Sequence, residues 1–258
     1  MAQTPVLWQI KVSHYNEKAR WALDYKGLEY RRRTPWPPLF ASLPVAWVLT
    51  RGTTTTTPVV RLDGKAIGDS TRIIAALEQR NPDPPLYPAD PEQRARALEL
   101  EEYFDEQLAP QIRQLVWLST APHPRTFLAA AMPDTSPAVL AALRPGAAIT
   151  AALVKRRYGA NDGVREEAKR KVRAAMERIE AEQGPDGYLV GDAFSVADLA
   201  AAALFSPLIQ PPERPFLPPV PYPEPLLSLQ QELCAMPGAE WVREMYRRHR
   251  GAYAGAGR

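Results

Sequence analysis

The chain has 258 residues, 45% of them hydrophobic and 24% charged, a balance typical of a globular protein with a substantial buried core. Its net charge of +3 comes from basic residues scattered among acidic ones, so nucleic-acid binding, which needs a concentrated basic stripe, is not expected. One cysteine and three widely separated histidines exclude an internal disulfide and argue against a metal site. The N-terminal stretch has no export-signal pattern and no apolar run reaches the length of a membrane span, so we expect a cytoplasmic protein without a membrane segment.

A β-α-β unit is predicted at the start of the chain. Residues 6–12 are apolar and rich in β-forming side chains, residues 16–26 have apolar side chains at helical spacing, and residues 29–33 favour a second strand. A helical crossover implies that the two strands are parallel. Residues 34–57 contain four prolines and end in five consecutive threonines, which predicts a short or irregular helix followed by a loop.

A β-hairpin and a helix follow this segment. Asp63-Gly64 separates two apolar runs, and glycine tolerates the positive φ of a tight hairpin turn. Helical spacing then begins at Asp69-Ser70 and extends to Arg80, before a proline-rich stretch that predicts a stiff linker. We therefore place the boundary of a first domain, residues 1–82, at this linker.

The second predicted domain, residues 90–258, is helical. Amphipathic or apolar patterns predict four helices, over residues 100–116 with a kink at Pro110, 164–179, 195–206 and 238–250. The third is nearly apolar throughout and is expected at the centre of a bundle. Residues 121–163 are predicted to be an irregular insert rich in alanine and proline. Residues 207–225 hold nine prolines in nineteen positions, which predicts an extended surface segment.

Four short motifs, in this order of elements, resemble those of the glutathione transferase superfamily. Ser13-His14-Tyr15-Asn16 resembles the loop of tau, zeta and omega class transferases, with Ser13 at the position of the catalytic serine or cysteine. Thr57-Pro58 resembles the motif whose proline is cis and whose preceding backbone pairs with the cysteinyl unit of glutathione. Asp69-Ser70-Thr71-Arg72-Ile73 resembles the motif that holds the γ-glutamyl group, and Ser195-Val196-Ala197-Asp198 resembles a structural capping box.

The resemblance implies an α/β thioredoxin-like N-terminal domain, an all-α C-terminal helical bundle and a glutathione S-transferase-like enzyme. It implies that Ser13 donates a hydrogen bond to the thiolate of glutathione, the co-substrate, for attack on a small hydrophobic electrophile, as in detoxification. Tyr15 and Asn16 are alternative donors, and Thr57, Pro58, Asp69 and Ser70 are expected to bind glutathione. The helix start at Ser70 suits a carboxylate, and Asp69 can pair with the α-ammonium group.

Several alternatives stay open at the level of the sequence. The first motif has no sulfur, so thiol–disulfide exchange by an enzyme cysteine is unavailable. The threonine run before Pro58 could suit another low-molecular-weight thiol. A non-catalytic protein that binds a hydrophobic ligand or docks a partner would use the same scaffold, and so would thiol-dependent isomerisation or dehalogenation. A homodimer is common in the superfamily, although no interface residue is recognisable.

Overall fold

The computed structural model describes residues 3–36, 38–158 and 162–250. Its sheet has four strands in the order β2-β1-β3-β4, namely β1 Val6–Trp8, β2 Arg31–Arg33, β3 Val59–Leu62 and β4 Lys65–Gly68. The pairing of β1 with β2 is parallel, as the predicted crossover requires, and the other two pairings are antiparallel. Both strands of the β-α-β unit are shorter than the predicted segments, residues 6–12 and 29–33.

Three helices accompany this sheet, α1 His14–Tyr25, α2 Pro38–Leu49 and α3 Ser70–Arg80. The helix α1 begins two residues earlier than its apolar pattern indicated, because Ser13 caps it and the polar His14 and Tyr15 form its first turn. The predicted hairpin is confirmed. Asp63 and Gly64 have φ angles of 48° and 81°, the pair of positive values that a tight two-residue turn needs.

The helix α2 is more regular than the prolines of residues 34–57 suggested. Pro38 occupies its first turn, where the missing N–H is not needed, and Pro44 is accommodated inside it. The threonine run then packs closely against β4. A Cβ atom on Gly68 would lie 2.1 Å from Cγ2 of Thr54, so the absence of a side chain at Gly68 lets the loop approach the strand that leads to Asp69.

All regular secondary structure in the rest of the described chain is helical, which confirms the predicted combination of a mixed α/β part and an all-α part. Its helices are α4 Pro91–Tyr103, α5 Ala109–Thr120, α6 Pro124–Ala131, α7 Pro137–Tyr158, α8 Asp162–Glu182, α9 Val196–Ile209, α10 Leu226–Cys234 and α11 Pro237–His249. A π-helical turn, Phe104–Leu108, joins α4 to α5. The predicted kink at Pro110 is therefore a widened turn just before the proline, which frees the carbonyl that the proline nitrogen cannot bond.

The prediction of an irregular insert at residues 121–163 was wrong. Most of this segment is helical, because Pro124 and Pro137 sit at helix starts and the alanines and leucines between them favour helix. The two helices bury a small core of their own around Phe127 and Leu128. Among the described residues no single helix is long and apolar enough to cross a membrane; two parts of α7, Pro137–Ala147 and Ile149–Arg156, reach that length only together, across a bend of 54°.

The proline-rich segment, predicted as extended chain on the surface, departs from that prediction at its start and in the burial of two side chains. Pro207 belongs to the last turn of α9, and the chain then turns at Gln210, whose φ is 51°. Beyond the turn, Arg214 and Tyr222 are 3% and 4% exposed. The segment therefore supplies buried side chains to the interior as well as covering it.

The helix α9 lies at the centre of the molecule, as its apolar sequence predicted, and every one of its residues is buried. It packs against α1, α4 and α11. The carboxylate of Asp198 accepts hydrogen bonds from the backbone of Leu189 at 2.8 Å and from the backbone and hydroxyl of Ser195 at 2.9 and 2.8 Å. The capping box at its N-terminus is thus present, and it also anchors the preceding loop.

Candidate functional site

A cavity of about 720 Å³ lies where the loops at one end of the sheet face the helical part of the chain. One side, which we call the N-terminal wall, comes from residues between 10 and 70; the other, the helical wall, comes from residues between 106 and 222. Six of the seven site residues predicted from the sequence line the cavity: Ser13, Tyr15, Thr57, Pro58, Asp69 and Ser70.

Ser13 both caps the helix α1 and lines the cavity. It lies in extended conformation just before α1, and its Oγ accepts a weak hydrogen bond of 3.5 Å from the backbone N–H of Asn16. A hydroxyl that accepts in this way keeps its own proton for donation. Ser13 is therefore a helix cap whose O–H group can still serve a ligand in the cavity.

Asn16 is placed differently from the prediction. Its side chain is fully buried and does not line the cavity; its Nδ2 donates to Oγ1 of Thr57 at 3.3 Å. The side chain therefore supports the Thr57-Pro58 turn from behind, since α1 turns it toward the protein interior. It is a positioning residue for the wall and not a donor to a bound sulfur.

Tyr15 lines the cavity but already uses its phenol proton. Its hydroxyl donates to the carbonyl oxygen of Asp105 at 3.1 Å, and the Arg113 guanidinium lies 5.7 Å from the centre of its ring. Burial raises the pKa of Tyr15 above its usual value, although Arg113 opposes that effect. The phenol thus stays protonated at neutral pH and ties α1 to the turn before α5.

The two remaining predicted elements meet at the base of the N-terminal wall. The Thr57-Pro58 peptide bond is cis, and the backbone N–H of Asp69 donates to the carbonyl of Pro58 at 3.2 Å. Asp69, with a φ of 76°, caps α3 by accepting from the backbone N–H of Arg72 at 3.1 Å. Ser70 is then the first residue of the helix, 2% exposed, beside the free N–H groups that favour an anion.

A buried ionic cluster fastens the two walls together behind Tyr15. Nζ of Lys18 lies 2.7 Å from Glu101 and 2.6 Å from Asp105, and it also donates to the Thr71 hydroxyl at 3.1 Å. Burial alone would lower the pKa of Lys18, but the two carboxylates raise it. The ammonium group is therefore charged and held by both acids, so α1 and α3 are joined to α4 and the π-helical turn.

His14 is a cavity residue with a perturbed side chain. It is 5% exposed, and its Nε2 has no hydrogen-bond partner. Burial lowers the pKa of His14 to about 3, and the positive charges of Arg113 and Arg214 act in the same direction, against a backbone hydrogen bond at Ala109. The imidazole is therefore neutral at physiological pH and packs in the wall of the cavity.

The helical wall is largely apolar and comes from segments without a recognisable motif. Its apolar and aromatic residues include Val116, Trp117, Phe127, Leu153, Val154 and Tyr222. Leu43 on the opposite lip and Leu153 are 51% and 53% exposed, so the apolar surface continues to the mouth of the cavity. Such a wall favours an apolar ligand next to the polar end of the cavity formed by Ser13, Thr57 and Ser70.

Two arginines of the helical wall were missed by the sequence interpretation. Arg113 on α5 and Arg214 in the proline-rich segment both line the cavity. Nothing in the sequence around either residue distinguishes it from the many surface arginines, so no signal could have found them. Among the described residues, no group of three or more His, Cys, Asp or Glu side chains is arranged to hold a metal ion.

Comparison with known families matches both parts of the chain. Residues 7–85 match the glutathione S-transferase N-terminal domain, and residues 162–224 match the glutathione S-transferase C-terminal domain. Together the two matches span more than half of the chain. No curated protein matches it significantly.

Solved structures with the same fold cover nearly the whole chain. The beta-etherase LigF from Sphingobium sp. strain SYK-6 is 23% identical, with a TM-score of 0.62, covering 94% of this chain and 99% of its own. A glutathione S-transferase from Methylobacterium radiotolerans, in complex with glutathione sulfonate, is 22% identical, with a TM-score of 0.54 and 92% of each chain covered. A tau class enzyme from mango, Mangifera indica, is 16% identical, with a TM-score of 0.55 and coverages of 96% and 99%.

Proposed function

The chain belongs to the glutathione transferase superfamily, and from that membership we propose that it activates glutathione for attack on a hydrophobic electrophile. One observation carries the proposal: Ser13, Thr57 and Ser70 line a single cavity whose opposite wall is largely apolar. The polar end suits a small peptide thiol and the apolar end suits its reaction partner. The similar transferase from Methylobacterium radiotolerans, crystallised with glutathione sulfonate, supports glutathione as the thiol.

In the proposed complex the γ-glutamyl carboxylate meets the start of α3 at Ser70, where free backbone N–H groups point outward. Asp69 faces the α-ammonium group with the carboxylate oxygen that the Arg72 backbone leaves available. The backbone of Thr57, next to Pro58, pairs with the cysteinyl unit, and Asn16 holds Thr57 in place from behind. The sulfur then lies toward Ser13 at the start of α1.

Ser13 would make the thiol a better nucleophile by stabilising its anion. A free thiol has a pKa of about 8.5, so only a small fraction is ionised at neutral pH. A hydrogen bond from a hydroxyl to a charged group contributes about 1.5–3 kcal/mol. The adjoining helix start adds about 0.3–1 kcal/mol. Together they lower the thiol pKa by about 1.3–3 units, which makes the thiolate the major form.

The reaction is a substitution at an electrophilic carbon. The thiol releases its proton to solvent, and the sulfur lone pair forms the new C–S bond. The bond to the leaving group, such as a halide, breaks and its electron pair departs with that group. Tyr15 plays no part in this step because its proton is donated to the backbone of Asp105.

The test is the ultraviolet absorbance of bound thiolate as a function of pH, together with the rate of conjugation of 1-chloro-2,4-dinitrobenzene. Replacement Ser13→Ala should raise the pKa of bound glutathione by at least one unit and lower kcat about tenfold or more, given the value of such a hydrogen bond. Ser136→Ala is the matched control, because Ser136 makes the same 3.5 Å capping contact before α7 and does not line the cavity. An unchanged thiol pKa in Ser13→Ala would remove Ser13 from this role.

A non-catalytic hydrophobic-ligand-binding protein is the second candidate. It is favoured by the apolar surface outside the cavity, where Trp36, Trp47 and Ile149 are 58%, 56% and 65% exposed. Calorimetry with glutathione separates the two: the transferase must bind the thiol, whereas a simple carrier binds an apolar dye with the same affinity in the presence and absence of the thiol.

A further inference from the structure

The two arginines of the helical wall line the cavity without an acidic partner. Arg214 is 3% exposed; one of its Nη atoms donates to the carbonyl of Val12 at 2.6 Å, and its Nε has no partner. Nε of Arg113 is likewise buried without a partner. Within the described part of the chain, no carboxylate forms an ion pair with either guanidinium group.

This arrangement differs from that of the other buried cations nearby. Lys18 is held by Glu101 and Asp105, and Lys26 is held by Glu78. Arg20 and Arg250 share Glu17, and Arg250 also contacts Asp24. Buried charges are normally paired in this way, because an uncompensated charge in an apolar setting is destabilising. Arg214 is the exception among the buried cations that the structure describes in this region, and the partly buried Arg113 likewise lacks a carboxylate partner.

The acidic residues around the cavity do not compensate the two arginines. Glu17 attracts Arg214 from a distance, but its two oxygens are already bonded by Arg20 and Arg250. Asp69 and Glu106 line the cavity, and both are exposed, with Asp69 engaged in capping α3. The positive charge of the helical wall therefore acts inside the cavity, where the apolar lining screens it less than bulk water would.

Both guanidinium groups flank the loop that carries Ser13. Arg214 donates to the carbonyl of Val12, just before Ser13, and Arg113 lies over the ring of Tyr15, two residues after Ser13. The imidazole of His14, with its unpartnered Nε2, lies between these two contacts in the sequence. The expected site for the γ-glutamyl group, at the start of α3, belongs to a different part of the N-terminal wall.

We propose that Arg113 and Arg214 form a subsite for the acid group of the second substrate, so that the protein takes aromatic electrophiles that carry a carboxylate. This inference rests on the proposed function, and it narrows the substrate from any hydrophobic electrophile to an amphipathic one. A guanidinium group binds a carboxylate through two parallel hydrogen bonds, which a neutral ester or amide cannot accept in the same way. The aromatic part of such a substrate then packs on the apolar side chains of the same wall, including Trp117 and Phe127.

Binding measurements test the subsite without requiring turnover. Calorimetry compares 3-nitrobenzoate with its neutral analogue 3-nitrobenzamide, in the presence of saturating S-methylglutathione. We expect wild-type protein to bind the acid about tenfold or more tightly than the amide, as for hydrogen bonds to charged groups. Arg113→Gln should remove that preference and leave the affinity for the amide nearly unchanged. Arg214→Lys, which keeps the charge but loses the planar fork, should reduce it.

The control variant is Arg170→Gln on α8, where the arginine is exposed and paired with Glu167, far from the cavity lining. It should keep the full preference for the acid. The reaction is tested in parallel with 4-chloro-3-nitrobenzoate and its methyl ester, for which Arg113→Gln should raise the KM of the acid alone.

Three outcomes would overturn the inference. Equal affinity of wild type for the acid and the amide would show that the arginines do not recognise a carboxylate. Competition between 3-nitrobenzoate and S-methylglutathione would assign the arginines to a carboxylate of glutathione itself. An equal loss of affinity for both compounds in Arg113→Gln would show a merely structural role. A protein that binds 3-nitrobenzoate through Arg113 but fails to conjugate any electrophile would retain the subsite and lose the proposed transferase activity, so the two failures are distinguishable.

Discussion

The two walls of the cavity are built on different principles. On the N-terminal wall, polar groups come from short motifs at the ends of strands and the starts of helices, where Ser13 and Asp69 also cap the helices that hold them. On the helical wall, the side chains come from separate segments and are mainly apolar, with two arginines that lack acidic partners. The local backbone thus specifies the thiol end, whereas the packing of distant helices specifies the other end, where variation in substrate is expected.

The contact between the walls is the most sensitive point of this arrangement. Lys18→Met should lower the free energy of unfolding by about 3–5 kcal/mol, because it leaves the carboxylates of Glu101 and Asp105 buried without their cation. Urea denaturation followed by circular dichroism measures the change. Lys65→Met, at an exposed position of β4, is the control and should change stability by less than about 0.5 kcal/mol. Similar losses in both variants would mean that the cluster does not join the walls.

His14, in the N-terminal wall, should make the free energy of unfolding depend on pH. Its folded-state pKa of about 3 lies below the value of about 6.5 expected in the unfolded chain. The unfolded state therefore binds a proton that the folded state does not, and the stability that His14 allows is lost as the pH falls below 6.5. Between pH 7 and pH 5 the loss should be about 2 kcal/mol.

His14→Gln should remove this dependence, as measured by urea denaturation at both pH values. The variant must be compared with the wild type, because Asp198 changes the stability in the opposite direction. Burial raises the pKa of Asp198 to about 6, so its protonation stabilises the folded state as the pH falls. If both proteins lost the same stability between pH 7 and pH 5, the imidazole would have to be accessible to protons in the folded state.

A substitution at Asn16 tests whether the N-terminal wall binds glutathione and not the electrophile. Asn16→Ala removes the hydrogen bond to Thr57, worth about 1 kcal/mol, and should weaken glutathione binding about fivefold. The KM of the electrophile should not change, since Asn16 does not line the cavity. Asn81→Ala, at the C-terminal end of α3, is the control and should leave both values unaltered. A matching rise in the electrophile KM would contradict the separation of the walls.

Leu153 provides the reciprocal test on the helical wall. The side chain is 53% exposed at the cavity mouth, so Leu153→Ala should remove about 0.8 kcal/mol of apolar contact with a bound electrophile. Steady-state kinetics should show its KM raised about fourfold and that of glutathione unchanged. Leu98→Ala on α4, 37% exposed and outside the cavity, should have no effect on either constant. A changed KM for glutathione in Leu153→Ala would show that glutathione contacts the helical wall, against the proposal.

Local patterns predicted the N-terminal part of the fold and most of the candidate site residues. Asp63-Gly64 predicted the hairpin, Ser195 and Asp198 predicted the cap of the central helix, and Asp69-Ser70 predicted the start of α3. Each of these features depends on a few neighbouring residues and on backbone conformations that few residue types adopt. Asn16 departed from the prediction because its direction on α1, and not its distance from Ser13, decides what it contacts.

By itself, the sequence determined the succession of the four strands with α1 and α3, the hairpin turn, the caps and the apolar centre at α9, because these follow from local propensity and periodicity. Only the tertiary structure decided that residues 124–158 pack as two helices, that Lys18 meets acids about ninety residues away, and that Arg113 and Arg214 face one cavity. Those outcomes depend on which distant segments bury one another and which charges find partners there. The pattern within a single segment of sequence does not show which distant segment it packs against.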